Sequence, residues 1–186
     1  MKWLLIAGAV LIAIVLVVVL VVVLVGTLLP RDHVATVSAR IAATPDSVWR
    51  VITDVTDHPS WRVGVKRVDL LPPSDGKTTW REHSSNGAIL MIADRAEPPT
   101  RLVTRIADDK LPFGGTWDYA IARNGDDSSI VTITERGSVY NPVFRFVSRF
   151  ILGHTGTMET YLRSLGRKFG GDVTPTVVAA ASSNSR

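Results

Sequence analysis

Few side chains in this sequence are suited to acid–base chemistry, and they fall on separate predicted elements. Alternation along residues 130–136 places Glu135 on the apolar face of a predicted strand. In the same way, Glu82 shares a face with Trp80. A buried carboxyl group with a raised pKa transfers protons near neutral pH. Two inward carboxylates and a helix histidine, His154, would therefore form an acid–base set.

A structural role for the same side chains is the favoured interpretation. Glu135 lies near a strand end, where its carboxylate reaches solvent or pairs with an arginine, and Glu82 is placed similarly. His154 falls on the apolar side of the last predicted helix, so it is interpreted as a core histidine with a satisfied hydrogen bond. The residues favour a non-catalytic protein, and an enzyme stays open as the alternative.

The motifs offer no support for a metal or a cofactor. The four histidines stand singly on different predicted elements, without a spacing that would place two on one face. The sequence contains no cysteine, which excludes disulfides, thiolate nucleophiles and cysteine-based metal sites. It also contains no dinucleotide-binding or P-loop glycine motif and no nucleophile elbow. We therefore expect no metal and no cofactor.

Charge divides the sequence into two unequal parts. Lys2 is the only charged side chain in residues 1–30, and all other charges, of both signs, lie beyond them. The net charge of +4 over 186 residues lacks the clustered basic stripe of nucleic-acid binding, so nucleic acid is not an expected partner. A weak attraction to anionic lipid headgroups is compatible with this balance.

Residues 3–29 form an uninterrupted apolar run rich in valine and leucine. A helix needs about 20 such residues to cross the hydrocarbon core of a membrane. A lone strand would leave its backbone unsatisfied in lipid, which favours a helix despite the many β-branched residues. The apolar stretch of a cleaved signal peptide is only about 7–15 residues long, so an uncleaved anchor over residues 1–30 is favoured. Lys2 favours a cytoplasmic N terminus and a soluble part outside the cytoplasm, but the charge count is nearly tied and the side of the membrane stays open.

Beyond residue 30 the pattern changes to the alternation typical of strands. Strands are predicted at residues 34–41, 64–71, 78–84, 88–96, 101–107, 115–122 and 129–139. Short breakers between them, including Pro72-Pro73, indicate antiparallel neighbours, because parallel pairs need longer crossovers. Thr44 and Pro45 predict the start of a helix after the first strand, and residues 57–61 predict a second short helix or turn.

The last element is predicted as one amphipathic helix over residues 142–169, with a bend near Gly153 and Gly156. Its phenylalanines are interpreted as core residues, and Arg145 and Arg149 as solvated. The alternative is that these arginines rest on a layer of lipid headgroups.

Together the elements predict an α+β domain over residues 31–170, followed by a disordered tail over residues 171–186. A sheet of about seven antiparallel strands needs cover on one face, and only the last helix is long enough to supply it. A curved sheet around one helix leaves a space, and ligand sites are mostly apolar with few polar groups. The side chains expected to line this space are Trp80, Glu82, Met91, Trp117, Tyr119, Glu135, His154 and Met158.

Several local strings resemble those of a known superfamily. They are IAATPDSVW (residues 41–49), DVTDHPSW (54–61), LPFGGTWDY (111–119), ITERG (133–137) and YLRSLGRKF (161–169). With the order of elements, they are similar to the START-like helix-grip superfamily, and within it to the SRPBCC proteins of polyketide cyclase/dehydrase type. The resemblance covers residues 34–170 and implies a helix-grip fold. It implies no single function, because that family includes lipid carriers, cyclases and ligand sensors and shares no catalytic motif.

Three hypotheses for function remain. The preferred one is a membrane-anchored, non-catalytic module that binds a lipid or another hydrophobic small molecule between the sheet and the last helix. The second is a cyclase/dehydrase-type enzyme that uses the carboxylates of the cavity. The third is an anchored interaction module without a ligand. The expected partners are the lipid bilayer and a hydrophobic small molecule, and no protein partner is indicated.

Overall fold

The computed structural model describes residues 2–85 and 87–179. It begins with helix α1 (Lys2–Leu28), whose 27 residues extend about 40 Å at 1.5 Å per residue. Nearly all of its apolar side chains are exposed. By length and composition, α1 is suited to crossing a membrane.

Eight antiparallel strands form one curved sheet. They are β1 (Asp32–Ile41), β2 (Val65–Ser74), β3 (Lys77–Ser84), β4 (Gly87–Glu97), β5 (Arg101–Ile106), β6 (Phe113–Arg123), β7 (Ser129–Val139) and β8 (Thr176–Val178). The order across the sheet is β2-β3-β4-β5-β6-β7-β1-β8. Strands β2 to β7 therefore pair in sequence order, and β1 lies between β7 and β8. The prediction of an α+β helix-grip fold is confirmed.

The helices beyond α1 form two groups along the chain. Between β1 and β2 are α2 (Pro45–Thr53), a 3₁₀ turn (Val55–Asp57) and α3 (His58–Trp61). Between β7 and β8 are α4 (Pro142–Val147), a π-helical turn (Ser148–Leu152) and α5 (Gly156–Lys168). The predicted start of α2 is confirmed, because the Thr44 hydroxyl accepts a hydrogen bond from Ser47 N and Pro45 occupies the first turn.

The prediction of one long closing helix is wrong. Residues 153–155 separate the π turn from α5, and Gly153 has a φ of 71°, in the left-handed region that favours glycine. The bend predicted from the glycines is therefore a complete break. It lets α4 and α5 pack against different parts of the molecule.

Two segments that the sequence predicted to lack regular structure form parts of strands in the structure. Pro72 and Pro73 lie inside β2, at a register shift between Leu71 and Ser74, where a strand tolerates proline. Thr176–Val178 pairs with the free edge of β1, within the range expected to be a disordered tail. Its three β-branched residues suit an added edge strand. Residues 180–186 of that range lie outside the described residues.

The apolar core lies on one side of the sheet. Met158, Tyr161, Leu162 and Leu165 of α5 are buried against apolar residues of β1, β6 and β7, and α2 adds Val48 and Ile52. We call β1, β6 and β7 under α5 the packed half of the domain. The remaining strands facing the interior, β3, β4 and β5, form what we call the hollow half.

Burial along α4 and the π turn differs from the sequence interpretation at Arg145, Phe144 and Phe150, whereas Arg149 is exposed as expected. Arg145 is buried, whereas Phe144 and Phe150 are exposed. Arg145 donates hydrogen bonds to the carbonyl oxygens of Leu29 (3.0 Å) and Tyr140 (3.3 Å). The cause is the contact between α4 and the end of α1, a partner that helical periodicity does not reveal.

Candidate functional site

A cavity of about 990 Å³ lies over the hollow half. Its wall comes from the inward faces of β3, β4 and β5, the nearer ends of β6 and β7, the α2–α3 region and the segment between α4 and α5. Most of the wall is apolar. The apolar side chains include Ile89, Met91, Leu102, Ile106, Val139 and Phe144.

Seven of the eight side chains expected at this cavity line it. They are Trp80, Glu82, Met91, Trp117, Tyr119, Glu135 and His154. Met158 does not, because it is fully buried in the packed half. Helical periodicity predicts which residues of a helix are buried, but it does not predict whether a buried residue packs in the core or faces a cavity.

The first polar cluster in the wall, which we call the Arg62 group, consists of Arg62, His58, Trp80 and Glu82. Arg62 Nη1 donates to Glu82 Oε1 at 2.6 Å, and Trp80 Nε1 donates to the same oxygen at 3.0 Å. His58 Nδ1 lies 2.9 Å from Arg62 Nη1, and its Nε2 lies 3.2 Å from the carbonyl oxygen of Ile52. The carboxylate is therefore paired within the wall of the cavity.

Pairing decides the protonation state of Glu82. Burial raises the pKa of its carboxyl group, but the hydrogen bond with His58, the Arg62 charge and the Trp80 N–H outweigh burial and lower the pKa to about 2. At neutral pH this group is ionised, and its Oε1 accepts hydrogen bonds from Arg62 and Trp80. It is poorly suited to the proton-transfer role considered from the sequence, which needs a raised pKa.

Aromatic rings continue the Arg62 group toward the packed half. The Arg62 guanidinium lies 5.0 Å from the centre of the Tyr161 ring, a cation–π contact. The rings of Tyr161 and Tyr119 are 5.5 Å apart. Burial raises the pKa of Tyr119 to about 12, so its hydroxyl stays protonated and neutral at physiological pH.

The second polar cluster, which we call the Glu135 group, consists of Glu135, His33, Trp117 and His154. The two carboxylate oxygens of Glu135 have different partners. Oε1 lies 2.9 Å from His33 Nε2, and Oε2 accepts a hydrogen bond from Trp117 Nε1 at 2.6 Å. The imidazoles of His33 and His154 stack with centroids 3.9 Å apart. A Cβ on Gly137 would collide with the His33 ring, so the observed position of that ring depends on glycine at residue 137.

His154 is not the core histidine of the sequence interpretation. It lies in the break between the π turn and α5 and lines the cavity. Partial burial and the neighbouring His33 lower the pKa of its imidazole, against the opposing effect of Glu135. The neutral form of the imidazole is therefore favoured near neutral pH.

The two clusters lie on opposite sides of the hollow half. Glu82 is on β3 and Glu135 is on β7, four strand steps apart in the order of the sheet. Between them stand apolar wall residues and the Thr104 hydroxyl. The arrangement suits a molecule with a large apolar body and few polar atoms. Among residues 2–85 and 87–179, no group of three or more His, Asp or Glu side chains is placed to hold a metal ion.

Sequence reasoning missed His33, His58 and Arg62 as residues of the cavity wall. A signal existed for His33, because alternation places it on the same face of β1 as the inward Ala35 and Val37. No comparable signal marks Arg62, which follows α3 and reaches the cavity only because α3 packs beside α5.

Comparison with solved structures shows the same fold in proteins of different activity. A START superfamily protein from Mycobacterium smegmatis superposes with a TM-score of 0.60 at 16% identity, covering 74% of this chain and 97% of that one. The Zhui aromatase/cyclase from a Streptomyces species has a TM-score of 0.61 at 12% identity, covering 75% and 94%. Norcoclaurine synthase from Thalictrum flavum has a TM-score of 0.58 at 14% identity, covering 74% and 92%. At these identities the likeness concerns the fold alone.

Sequence comparison identifies the family directly. No curated protein matches the chain. The family model described as "Polyketide cyclase / dehydrase and lipid transport" matches residues 32–181, the sheet, the helices beyond α1 and the tail strand. This match covers well over half of the 186 residues, and the chain therefore belongs to the polyketide cyclase/dehydrase and lipid transport family.

Proposed function

We propose that this chain is a membrane-anchored module that binds a lipid or another hydrophobic small molecule in the cavity of the hollow half. The observation that carries the proposal is the cavity of about 990 Å³ with a mainly apolar wall. Ligand sites in proteins are typically about 300–1,000 Å³ and combine apolar walls with a few polar groups. The family description, which includes lipid transport, supports the same class of ligand.

Anchoring by α1 is the second part of the proposal. The helix is 27 residues long, and its most apolar stretch of 18 residues is not buried against the domain. In water so much exposed apolar surface would be very unfavourable, whereas a bilayer solvates it. The side of the membrane stays a prediction: Lys2 favours a cytoplasmic N terminus and a domain outside the cytoplasm.

Filling the cavity tests the binding proposal. The full chain is reconstituted in lipid nanodiscs, and the molecules it retains are identified by native mass spectrometry and organic extraction. Ala88→Trp and Ile106→Trp add bulk to the wall of the cavity, and we expect each to lower the retained ligand by at least fivefold. Leu70→Trp on β2 is the matched control, because Leu70 is exposed and does not line the cavity. A wild-type protein that retains no ligand, or equal retention in all four proteins, contradicts the proposal.

An enzyme of cyclase/dehydrase type is the second candidate. The observation that favours it is that Glu135 and His154 both contact His33. Glu135 Oε1 lies 2.9 Å from His33 Nε2, and the His154 ring stacks on the His33 ring. Such a group would take the proton next to a carbonyl and return it to the β-hydroxyl, so that the C–O bond breaks, a C=C bond forms and a β-hydroxyacyl compound loses water. A dehydration assay with β-hydroxyacyl probes tests it, with Glu135→Gln expected to abolish turnover. The third candidate, an interaction module without a ligand, predicts a filled interior, and the hollow half argues against it.

A further inference from the structure

Helix α4 is joined tightly to the end of α1. Gly26 is the one buried residue described in α1, and a Cβ there would collide with the backbone of Pro142. Arg145 donates to the carbonyl oxygen of Leu29 at 3.0 Å, one of the last acceptors of the α1 terminus, which helical hydrogen bonding leaves free. The contact is backbone against backbone and is completed by a cation at the negative end of a helix. It places α4 at the level at which α1 ends.

That level is a membrane surface if α1 spans the bilayer. Charged residues return immediately after α1, beginning with the exposed Arg31. A hydrophobic span ends where the headgroup layer begins, so α4 and the π turn that follows it lie beside that layer. Continuity with α1 therefore determines what this part of the surface faces.

The same segment exposes large apolar side chains. Phe150 is 60% exposed and Ile151 is 69% exposed, and Val143 and Phe144 are also exposed. Arg149 is exposed next to Phe150, which supplies a cation for anionic headgroups. Apolar side chains beside a basic residue are typical of segments that lie in the interface plane of a membrane.

The segment also borders the cavity. Phe144, Ser148, Gly153 and His154 line it, so one side of residues 143–154 faces the interior. The exposed Phe150 and Ile151 lie in the same short stretch. This part of the chain thus separates the hollow half from the surface next to α1.

We propose that residues 143–151 lie in the headgroup layer of the membrane that α1 spans and form the opening of the cavity toward the lipid. A hydrophobic ligand then passes between bilayer and cavity without crossing water. The inference rests on the proposed function, since it concerns the route to the same cavity. A lipid surface is favoured over a protein partner because α1, joined to α4 through Gly26 and Arg145, brings the bilayer to this face.

Insertion is tested by fluorescence quenching in nanodiscs. The chain contains no cysteine, so Phe150→Cys and Leu70→Cys each give a single labelling site on the full chain. Phe150 is 60% exposed and Leu70 is 59% exposed, which makes them matched positions. With an environment-sensitive dye and spin-labelled lipids, we expect at least threefold stronger quenching at position 150 than at position 70. Equal quenching at the two positions overturns the proposal. The proposal is also overturned if a second protein molecule covers the dye at position 150 and shields it from the spin-labelled lipids.

Transfer kinetics test the opening itself. Phe150→Glu with Ile151→Glu removes two apolar side chains that would insert at the interface and adds two negative charges that anionic headgroups repel. We expect transfer of a fluorescent phospholipid from donor vesicles to slow at least tenfold, while equilibrium binding in detergent stays unchanged. Leu70→Glu is the control and transfers at the wild-type rate. An unchanged rate in the double variant overturns the opening alone, whereas a wild type that binds no lipid in detergent overturns the proposed function and the opening with it.

Discussion

The packed half and the hollow half of this domain are built from one sheet but bury their side chains differently. Under α5, residues such as Val37, Ile133 and Leu162 are completely buried and touch one another. Over β3, β4 and β5, residues such as Met91 and Ile106 face a cavity and keep part of their surface accessible. The difference arises because α5 covers only one side of the curved sheet, and the broken helix leaves the other side open.

The two halves therefore depend on different interactions for stability. The packed half relies on the close packing of apolar side chains, which is sensitive to the loss of single methyl groups. The hollow half gains less from packing and is bordered by the Arg62 group and the Glu135 group, whose charges and N–H donors are paired in the wall. Such a division leaves room for a ligand while the Glu82 and Glu135 carboxylates keep hydrogen-bond partners in the wall.

Truncation of apolar residues should show the largest contrast between the halves. Leu162→Ala removes a fully buried side chain from the packed half, and we expect a loss of about 3 kcal/mol in the free energy of unfolding. Met91→Ala only enlarges an existing cavity, and a loss of no more than about 1 kcal/mol is expected. Urea denaturation of the detergent-solubilised chain, followed by tryptophan fluorescence, measures both. Equal losses would contradict the comparison.

Removal of a charge tests the stability of the hollow half. The pKa of Glu82 is lowered from 4.5 to about 2, so its contribution is complete above pH 4.5 and is lost as the pH falls toward 2. We expect Glu82→Gln to cost about 3 kcal/mol at pH 7, since one pKa unit corresponds to about 1.4 kcal/mol. The variant should also lose less stability than the wild type between pH 4.5 and 2.

The exposed Asp126 provides a control for this charge change, and Asp126→Asn should alter the free energy of unfolding by less than about 0.5 kcal/mol. A Glu82→Gln variant as stable as Asp126→Asn would show that the Arg62 group does not stabilise the wall.

The smallest effect is expected where the two halves meet, at His154. Burial and the neighbouring His33 lower its pKa below 6.5, so the folded state binds fewer protons than the unfolded state. Stability is therefore lost as the pH falls from 6.5 through the lowered pKa. His154→Phe keeps a ring over His33 but cannot be protonated, and its thermal unfolding midpoint should fall less between pH 7 and pH 5 than that of the wild type. An identical decrease in both proteins would rule out this role for His154.

Much of the fold was accessible from sequence patterns. Alternation and turn residues predicted the seven main strands, and the Thr44-Pro45 pair predicted the start of α2. Alternation also placed Trp80 and Glu82 on one face, and their side chains form a hydrogen bond of 3.0 Å. These features depend on a few neighbouring residues, so a local pattern contains the necessary information.

The failures concern contacts between distant segments. Met158 was expected at the cavity and lies in the core, while Arg145 was expected in solvent and is buried at the end of α1. The tail strand β8 was missed because only the free edge of β1 makes a strand of three residues stable. Each outcome depends on a partner more than 100 residues away or on the side of α5 to which a residue turns.

By itself, the sequence determined the long apolar helix, the order of the seven main strands with α2 after the first of them, and which strand faces turn inward. These follow from hydrophobic periodicity, which is a property of consecutive residues. Only the tertiary structure decided that one half is solid and the other hollow, and that His33, Glu135 and His154 meet in one group. Those features follow from where α5 comes to rest on the sheet and where the chain breaks at Gly153, which are results of packing among all the elements at once.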